Sequence, residues 1–452
     1  MMMRLAHPRS IGAGLFAITM VVMATVWLAA SVQPASAQVV TGVTPVAQAA
    51  RPYRGLFGAG TGADPGRHIL ALTASVYEEY GNNQNGEIPT TDLVMRDGWF
   101  LGVRAQLAFE KAGRYSRFGL RGEGAFRYVR DLRETTAPRF RAELAVDAKT
   151  GSRKQNLLHL TGSADYEPYY ILSIFPTEVL PTGDTAVVPT NRDDLLFKRT
   201  RYIYDQAFSY EQQLSRRSYV EIYDDWRTTQ AQAPTTGLDV NAVRVGARYG
   251  YRMSPHASLR VGYAYRLGNY GLDAAQRFES QDLDLSFDYS KPLTRTRTTT
   301  FGFGAGSSRI TRDPAPIWTV VGNAYLRHEF GAGWFIRGDF NRNSQLVEGF
   351  AVPFFVNTVT GSLGGFLGHR VEVLATSGYS RGPVGFGSDR YTSRQSSARL
   401  RWALARYFAV DAEGLLIRYD FGDRVPVPGT VAANLDRWAV RCNLAWWLPL
   451  SR

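Results

Sequence analysis

The residue types that carry most enzyme chemistry are scarce in this chain of 452 residues, which has six histidines and one cysteine. Only His159 lies in the middle of a candidate strand on its polar face, where Ser163 follows two positions further along the same face. Four positions along a strand separate two side chains by about 13 Å, at roughly 3.3 Å per residue, whereas a nucleophile needs its base within hydrogen-bond reach. The histidines and Cys442 also lack the spacing of metal ligands. The sequence therefore predicts no enzyme activity, no metal site and no cofactor.

Arginine is the chemically active residue that the chain holds in excess. Only five of its 52 basic residues are lysines, and the formal net charge is +12. Many arginines alternate with apolar residues at period two, which places them together on one face of a strand. Charge on the wall of a low-dielectric passage attracts ions of the opposite sign, so this face predicts a pore with a weak preference for anions. The candidate pore-lining residues are Arg104, Arg121, Arg127, Arg141, Arg244, Arg248, Arg260 and Arg266.

Carboxylates such as Glu143 and Asp165 occupy the same face and leave a second interpretation open. The planar guanidinium fork binds carboxylates bidentately, so an arginine can stiffen the wall instead of meeting a solute. The arginine-rich strands at 240–267 lie beside the aspartate-rich strand at 282–288, which predicts ion pairs between them. Because the arginines follow a strand phase and not a patch or a basic arm, nucleic acid is not an expected partner.

The elements that must position these side chains are β-strands with two unlike faces. Apolar and polar residues alternate strictly at 99–110, 139–148, 243–252, 259–267 and 282–289. In a membrane barrel one face of each strand meets lipid and the other meets the lumen. A soluble β-sandwich gives the same alternation, with the apolar face as its core. Aromatic residues crowd the strand ends, as in the interfacial girdles of membrane barrels, and so favour the barrel.

The N-terminal segment predicts export from the cytoplasm. Two arginines precede an apolar stretch at 11–30, and Ala35-Ser36-Ala37 provides a cleavage site before Gln38. An uncleaved anchor is the alternative. Beyond this segment no uninterrupted apolar run reaches the roughly 20 residues of a membrane helix. The predicted units are a signal peptide at 1–37, a periplasmic lead segment at 38–67 and a transmembrane β-barrel at 68–452.

The connections between candidate strands alternate between short and long. Their sequence predicts an all-β fold, a closed antiparallel transmembrane β-barrel of about 18 strands (16–18), with both chain ends on the short-turn side. Short turns are periplasmic in outer-membrane barrels, so the long loops are expected to face outside. Closure leaves no unpaired edge, and a barrel of this width encloses water instead of a packed core.

One hairpin carries a resemblance to a known family. The segment Tyr249-Gly250-Tyr251-Arg252-Met253-Ser254-Pro255, continuing to Tyr263-Ala264-Tyr265, resembles a bacterial family of outer-membrane β-barrel porins. Members of that family often accompany exopolysaccharide production and export, so the resemblance implies a barrel of that kind. The chain continues past Trp446-Trp447 to Arg452, whereas outer-membrane barrels usually end in an aromatic residue that the assembly machinery reads.

These features together predict a porin-like channel of the bacterial outer membrane that passes small hydrophilic solutes by diffusion. Two alternatives stay open: a barrel that conducts saccharides or serves exopolysaccharide export, and a closed barrel with a structural or surface-binding role. The expected partners are outer-membrane lipids, the barrel-assembly machinery, and small hydrophilic solutes or oligosaccharides.

The longest predicted outer loop, 171–196, offers a first test. It resembles in position the third loop of general diffusion porins, which folds into the pore, and its Glu178 and Asp184 would face the basic wall at a constriction. We expect deletion of residues 178–190 to raise the single-channel conductance in planar bilayers. An unchanged conductance would leave this segment as an ordinary surface loop.

Overall fold

A computed structural model describes most of the chain beyond residue 67. The described residues are 68–82, 98–129, 134–135, 138–151, 155–170, 197–231, 240–270, 277–294, 297–311, 316–330, 333–345, 347, 350, 352–387, 389–422, 425 and 433–451. Within these ranges no helix is long and apolar enough to cross a membrane. The strands are β1 (His68–Gly81), β2 (Gly98–Ala112), β3 (Ser116–Val129), β4 (Glu134–Thr135), β5 (Arg139–Thr150), β6 (Asn156–Tyr170), β7 (Phe197–Gln213), β8 (Ser218–Ala231), β9 (Val240–Arg252), β10 (Ala257–Tyr270), β11 (Arg277–Thr294), β12 (Arg297–Ile310), β13 (Ile317–Phe330), β14 (Trp334–Gln345), β15 (Phe354–Leu367), β16 (Val371–Pro383), β17 (Arg390–Ala405), β18 (Phe408–Phe421) and β19 (Asn434–Ser451).

The strands form one sheet that closes on itself. Each long strand pairs antiparallel with the next one in the chain, and β1 pairs with both β2 and β19. The two-residue β4 pairs only with β3, which continues the ring by pairing with β5. Of the 19 strands in the described part of the chain, all but β4 therefore belong to the ring. The prediction of a closed antiparallel barrel of about 18 strands is confirmed.

The outer face of the ring is apolar. Large hydrophobic side chains such as Val320, Leu416 and Val440 are 60%, 59% and 56% exposed, at alternate positions of their strands. The same face of β19 carries Trp438 and Leu444, as the alternation in the sequence predicts. Paired residues of adjacent strands project to the same side of a sheet. Knowing which face one residue occupies therefore assigns the faces of the residues paired with it around the ring. An exterior of this kind is suited to acyl chains and unsuited to water.

The short connections gather at one end of the barrel, together with both ends of the strand array. His68 at the start of β1 lies opposite Lys111, and Leu70 lies opposite Ser451 at the end of β19. Gly151 and Gly368 turn the chain here with φ angles of 83° and 67°, which a residue without a Cβ adopts at little cost. The predicted placement of the chain ends on the short-turn side thus agrees with the strand register.

A buried ion cluster joins the first and last strands at the seam of the barrel. Glu79 of β1 is fully buried and accepts hydrogen bonds from two arginines of β19. Nη2 of Arg437 lies 2.8 Å from Glu79 Oε1, and Nε of Arg441 lies 2.8 Å from Oε2. Arg437 is itself 1% exposed. The carboxylate therefore ties together two strands that are distant in sequence.

We expect Glu79→Gln to weaken closure of the barrel. Removing one partner of a buried ion cluster leaves uncompensated charge and costs about 3–5 kcal/mol in the free energy of unfolding. Urea titration of the protein in detergent micelles measures this loss. The matched control is Asp436→Asn, because the pair of Asp436 with Arg418 lies at 3.7 Å with both side chains about two-thirds exposed, and such pairs contribute about 1 kcal/mol or less. Equal losses for the two variants would contradict a locking role for Glu79.

Candidate pore lining

The predicted arginines lie on the inner face of the barrel. All eight project from the inward phase of β2, β3, β5, β9 and β10. The side chain of Arg266 on β10 shows that this phase points into the barrel, because its Nη1 donates to the backbone carbonyl of Ser344 on β14 at 2.9 Å. Three strands lie between β10 and β14 in the ring, so this contact crosses the barrel interior. The role of these arginines in a pore stays a prediction.

Carboxylates of neighbouring strands oppose most of these arginines, as the second interpretation expected. Arg104 Nε lies 3.2 Å from Glu123, and Arg121 Nη1 lies 3.1 Å from Glu143. Arg127 differs, because its Nε donates to the hydroxyl of Tyr77 at 3.1 Å. Such a lattice across strands stiffens the wall, since each guanidinium bridges two backbones that are also joined by the ladder.

The ion pairs predicted between 240–267 and 282–288 are present only in part. Arg260 pairs with Asp288, and Arg266 Nη2 lies 3.6 Å from Asp282. The two arginines of β9 pair on their other side with β8, where Arg244 lies 4.0 Å from Asp225 and Arg248 lies 3.6 Å from Glu221. The reason is the ring order: β10 separates β9 from β11, so β8 supplies the nearest carboxylates.

Tyrosines on the inner face lie flat over glycines of the adjacent strand. A Cβ on Gly246 or Gly250 would collide with the ring of Tyr223 or Tyr219 respectively. The guanidinium of Arg248 covers the Tyr223 ring at 4.3 Å, which is cation–π distance. These rings therefore occupy the wall and leave the interior to the charged side chains. The sequence shows both residue types, but their stacking depends on a register that only pairing fixes.

A cavity of about 630 Å³ lies against the wall formed by β5–β10. We call this the charged wall. Its volume is within the range of small-molecule sites. The charged side chains around it are Arg141, Glu143, Asp205, Asp225, Arg227, Arg244 and Arg266. His159, the histidine singled out in the sequence, lies outside this cavity and contacts the Asp147 carboxylate on β5.

The opposite side of the interior is apolar at its long-loop end. A buried cluster, here called the inner apolar cluster, covers the long-loop ends of β15, β17, β18 and β19. Val347 and Phe350, from the connection between β14 and β15, complete it, with Phe350 only 3% exposed and its ring 4.9 Å from Phe354 and 5.3 Å from Phe421. The members are Val347, Phe350, Phe354, Val356, Val384, Tyr391, Leu415, Ile417, Tyr419, Phe421, Val425, Leu435 and Ala439.

The inward position of Phe350 was not predicted. Its ring contacts Phe354 and Phe421 on one side of the interior. The end of β14 that precedes it is held on the other side by the bond from Arg266 to Ser344. The predicted constriction residues Glu178 and Asp184 lie outside the described residues, so that loop stays a prediction. A signal was present in the sequence, because a surface connection seldom carries an apolar run such as Phe350-Ala351-Val352-Pro353-Phe354.

No family model and no curated protein matches the sequence. Among solved structures, the chain is similar to Pseudomonas aeruginosa OccK2 (OpdF) in complex with glucuronate, with a TM-score of 0.46 and 11% identity over 86% of this chain and 99% of that one. It is also similar to Acinetobacter baumannii OccAB4, with a TM-score of 0.42 and 11% identity over 84% and 98%, and to the Pseudomonas aeruginosa outer membrane protein opdK, with a TM-score of 0.44 and 10% identity over 86% and 100%. At this level the neighbours assign neither a family nor a substrate. The barrel that the hairpin resemblance implied is present, and its association with exopolysaccharide stays a prediction.

We expect Phe350→Ala to widen the passage. Removing a buried phenylalanine costs about 3–5 kcal/mol, enough to release the β14–β15 connection from the inner apolar cluster. Single-channel conductance should rise, with more frequent fluctuations between levels. The matched control is Phe355→Ala on the opposite phase of the same hairpin, whose ring packs against Phe386 at 5.7 Å. If both variants conduct like the unmodified protein, the connection does not limit the passage.

Proposed function

We propose that the protein is an outer-membrane, porin-like channel for passive diffusion of small hydrophilic solutes, with a weak preference for anions. One observation carries the proposal: a closed barrel combines an exposed apolar exterior with a charged interior wall around a cavity of about 630 Å³. Acyl chains solvate the first surface and water the second, which is the distribution that a membrane channel requires. The predicted signal peptide at 1–37 supports export to the outer membrane.

The weak preference for anions follows from how the interior charges are distributed. Neighbouring carboxylates compensate most inward arginines, so the net field along the wall is small. Strands β9 and β10 contain no carboxylate, while Arg244, Arg248, Arg252, Arg260 and Arg266 occupy their inward phase. Arg244 and Arg266 of this strip line the cavity, and we infer that the strip sets the sign of the preference.

The inner apolar cluster sets the course of the passage. It fills the long-loop end of the interior next to β15–β19, so a hydrated solute passes that level along the charged wall on the other side. The saccharide route and the closed barrel, the two alternatives from the sequence, make different demands on this path. A saccharide route requires sugar contacts along this path, and a closed barrel requires the loops to complete the seal that the apolar cluster begins.

Planar bilayer recordings test the proposal. We expect discrete current steps and, under a potassium chloride gradient, a reversal potential that shows chloride modestly favoured over potassium. Arg248→Gln should move the reversal potential toward cation preference, because it leaves the nearby Glu221 carboxylate uncompensated. The control Arg418→Gln alters an outward arginine that is 67% exposed, and should leave the reversal potential unchanged.

Each other outcome selects an alternative. Absence of current from correctly folded, heat-modifiable protein would contradict the channel and favour the closed structural barrel. Current that added oligosaccharides block would favour the saccharide route. A reversal potential that favours potassium would overturn the proposed charge preference while leaving the channel itself.

A further inference from the structure

Two cross-strand rows of polar side chains line the cavity on the charged wall. In the first row, Glu143, Ser163, Asp205 and Arg227 lie directly opposite one another on β5, β6, β7 and β8. Partners in register project to the same face, so these four groups point together into the cavity. The row begins with acidic residues and ends with a basic one.

The second row continues the same polarity. Asp225 of β8 lies opposite Arg244 of β9, which lies opposite Arg266 of β10. Arg141 of β5 also lines the cavity and compensates Glu143, with its Nε 2.6 Å from that carboxylate. The other two acidic groups, Asp205 on β7 and Asp225 on β8, each lie one strand before an arginine, Arg227 on β8 and Arg244 on β9. The cavity therefore has a negative and a positive side at short range, although its total charge is small.

The ion pairs that cross this boundary are loose and wet. Arg227 Nη1 lies 3.7 Å from Asp205, with the two side chains 46% and 40% exposed. Arg244 Nη1 lies 4.0 Å from Asp225, with exposures of 31% and 51%. By contrast, Arg401 Nε lies 2.6 Å from Asp411 on the opposite wall, and both are 5% exposed. Exposed pairs of this kind contribute only about 0.2–1 kcal/mol, so a solute can exchange with them at little cost.

We propose that this cavity is a binding site for zwitterionic solutes, small molecules that carry both an ammonium and a carboxylate group. The ammonium group binds Asp205 and Asp225, the carboxylate binds Arg227 and Arg244, and the Ser163 hydroxyl offers a further hydrogen bond. The inference rests on the proposed channel function and names the solute class that the channel favours.

Charge matching on both sides distinguishes this class from others. A simple anion gains from the arginines but meets the exposed carboxylates next to them, and a simple cation meets the reverse. A neutral sugar gains no charge-assisted hydrogen bond, which is about twice as strong as a neutral one. Only a solute with both charges replaces each loose pair with two matched contacts.

Liposome swelling with the full-length protein tests the site. The probes are L-glutamine as the zwitterion, arabinose as a neutral solute of similar mass, and glutarate as the anion. We expect the ratio of glutamine to arabinose swelling rates to fall by about two- to fivefold in the double variant Asp205→Asn with Asp225→Asn, as the loss of two exposed ionic contacts implies. The swelling rate with glutarate should rise, because the opposing carboxylates are gone.

A matched control uses a tight pair elsewhere in the interior. Asp339→Asn removes the partner of Arg337, whose Nε and Nη2 bind the same carboxylate at 2.7 to 3.0 Å. This variant should keep the glutamine to arabinose ratio of the unmodified protein. In bilayers, added glutamine should lower the ion current of the unmodified protein and leave that of the double variant unchanged.

The possible failures are separable. If arabinose enters and current flows, but the double variant leaves the glutamine ratio unchanged, the zwitterion site is overturned and the channel stands. If neither solute enters and no current flows, the channel itself fails. Folding of every variant is checked by heat-modifiable migration on gels, so a loss of swelling from misfolding is recognised.

Discussion

Closure of the backbone hydrogen-bond ladder is the constraint on which the rest of this structure depends. A sheet in hydrocarbon has no water to satisfy unpaired N–H and C=O groups, so the ring must be complete. Pairing of β1 with β19 completes it, and the buried contacts of Glu79 with Arg437 and Arg441 hold the two strands in register. Once the ring is closed, the pleat alone decides which side chains face outward and which face the interior.

A second constraint acts inside the barrel, where apolar side chains on the inward face must be kept from water. The inward phase of β18 is apolar at its long-loop end, where Leu415, Ile417, Tyr419 and Phe421 would otherwise meet water. Val347 and Phe350 help to remove this surface from water, and the ring of Phe350 packs against Phe421. The free space is thereby pushed toward the charged wall. In the proposed channel, the hydrophobic effect sets the cross-section of the passage and the charges set its solute preference.

The ion pairs of the interior fall into two physical kinds. Those at the seam and around Arg401 are short and buried, and their removal would leave charge without solvent. Those on the charged wall, such as Arg244 with Asp225, are long and wet, and contribute little to stability. The first kind stabilises the closed barrel. The second kind keeps both partners available to a solute, which is the physical basis of the proposed site.

The sequence by itself determined the architecture and the face of each strand. Alternation at period two placed Leu107 and Arg104 on opposite faces, and the aromatic strand ends favoured the barrel, in which Leu107 lies outside. The alternation of short and long connections predicted the approximate number of strands and placed both ends of the strand array on the short-turn side. These properties follow from local geometry, because successive side chains of a strand point to opposite faces whatever the partner strand is. The tertiary structure alone decided the rest. The partner of Arg244, the contact from Arg266 to Ser344 and the inward fold at Phe350 depend on which strands are neighbours around a closed ring and on surfaces that meet across its interior. No local pattern encodes those distances, since they arise only when residues far apart in the chain are brought together by closure.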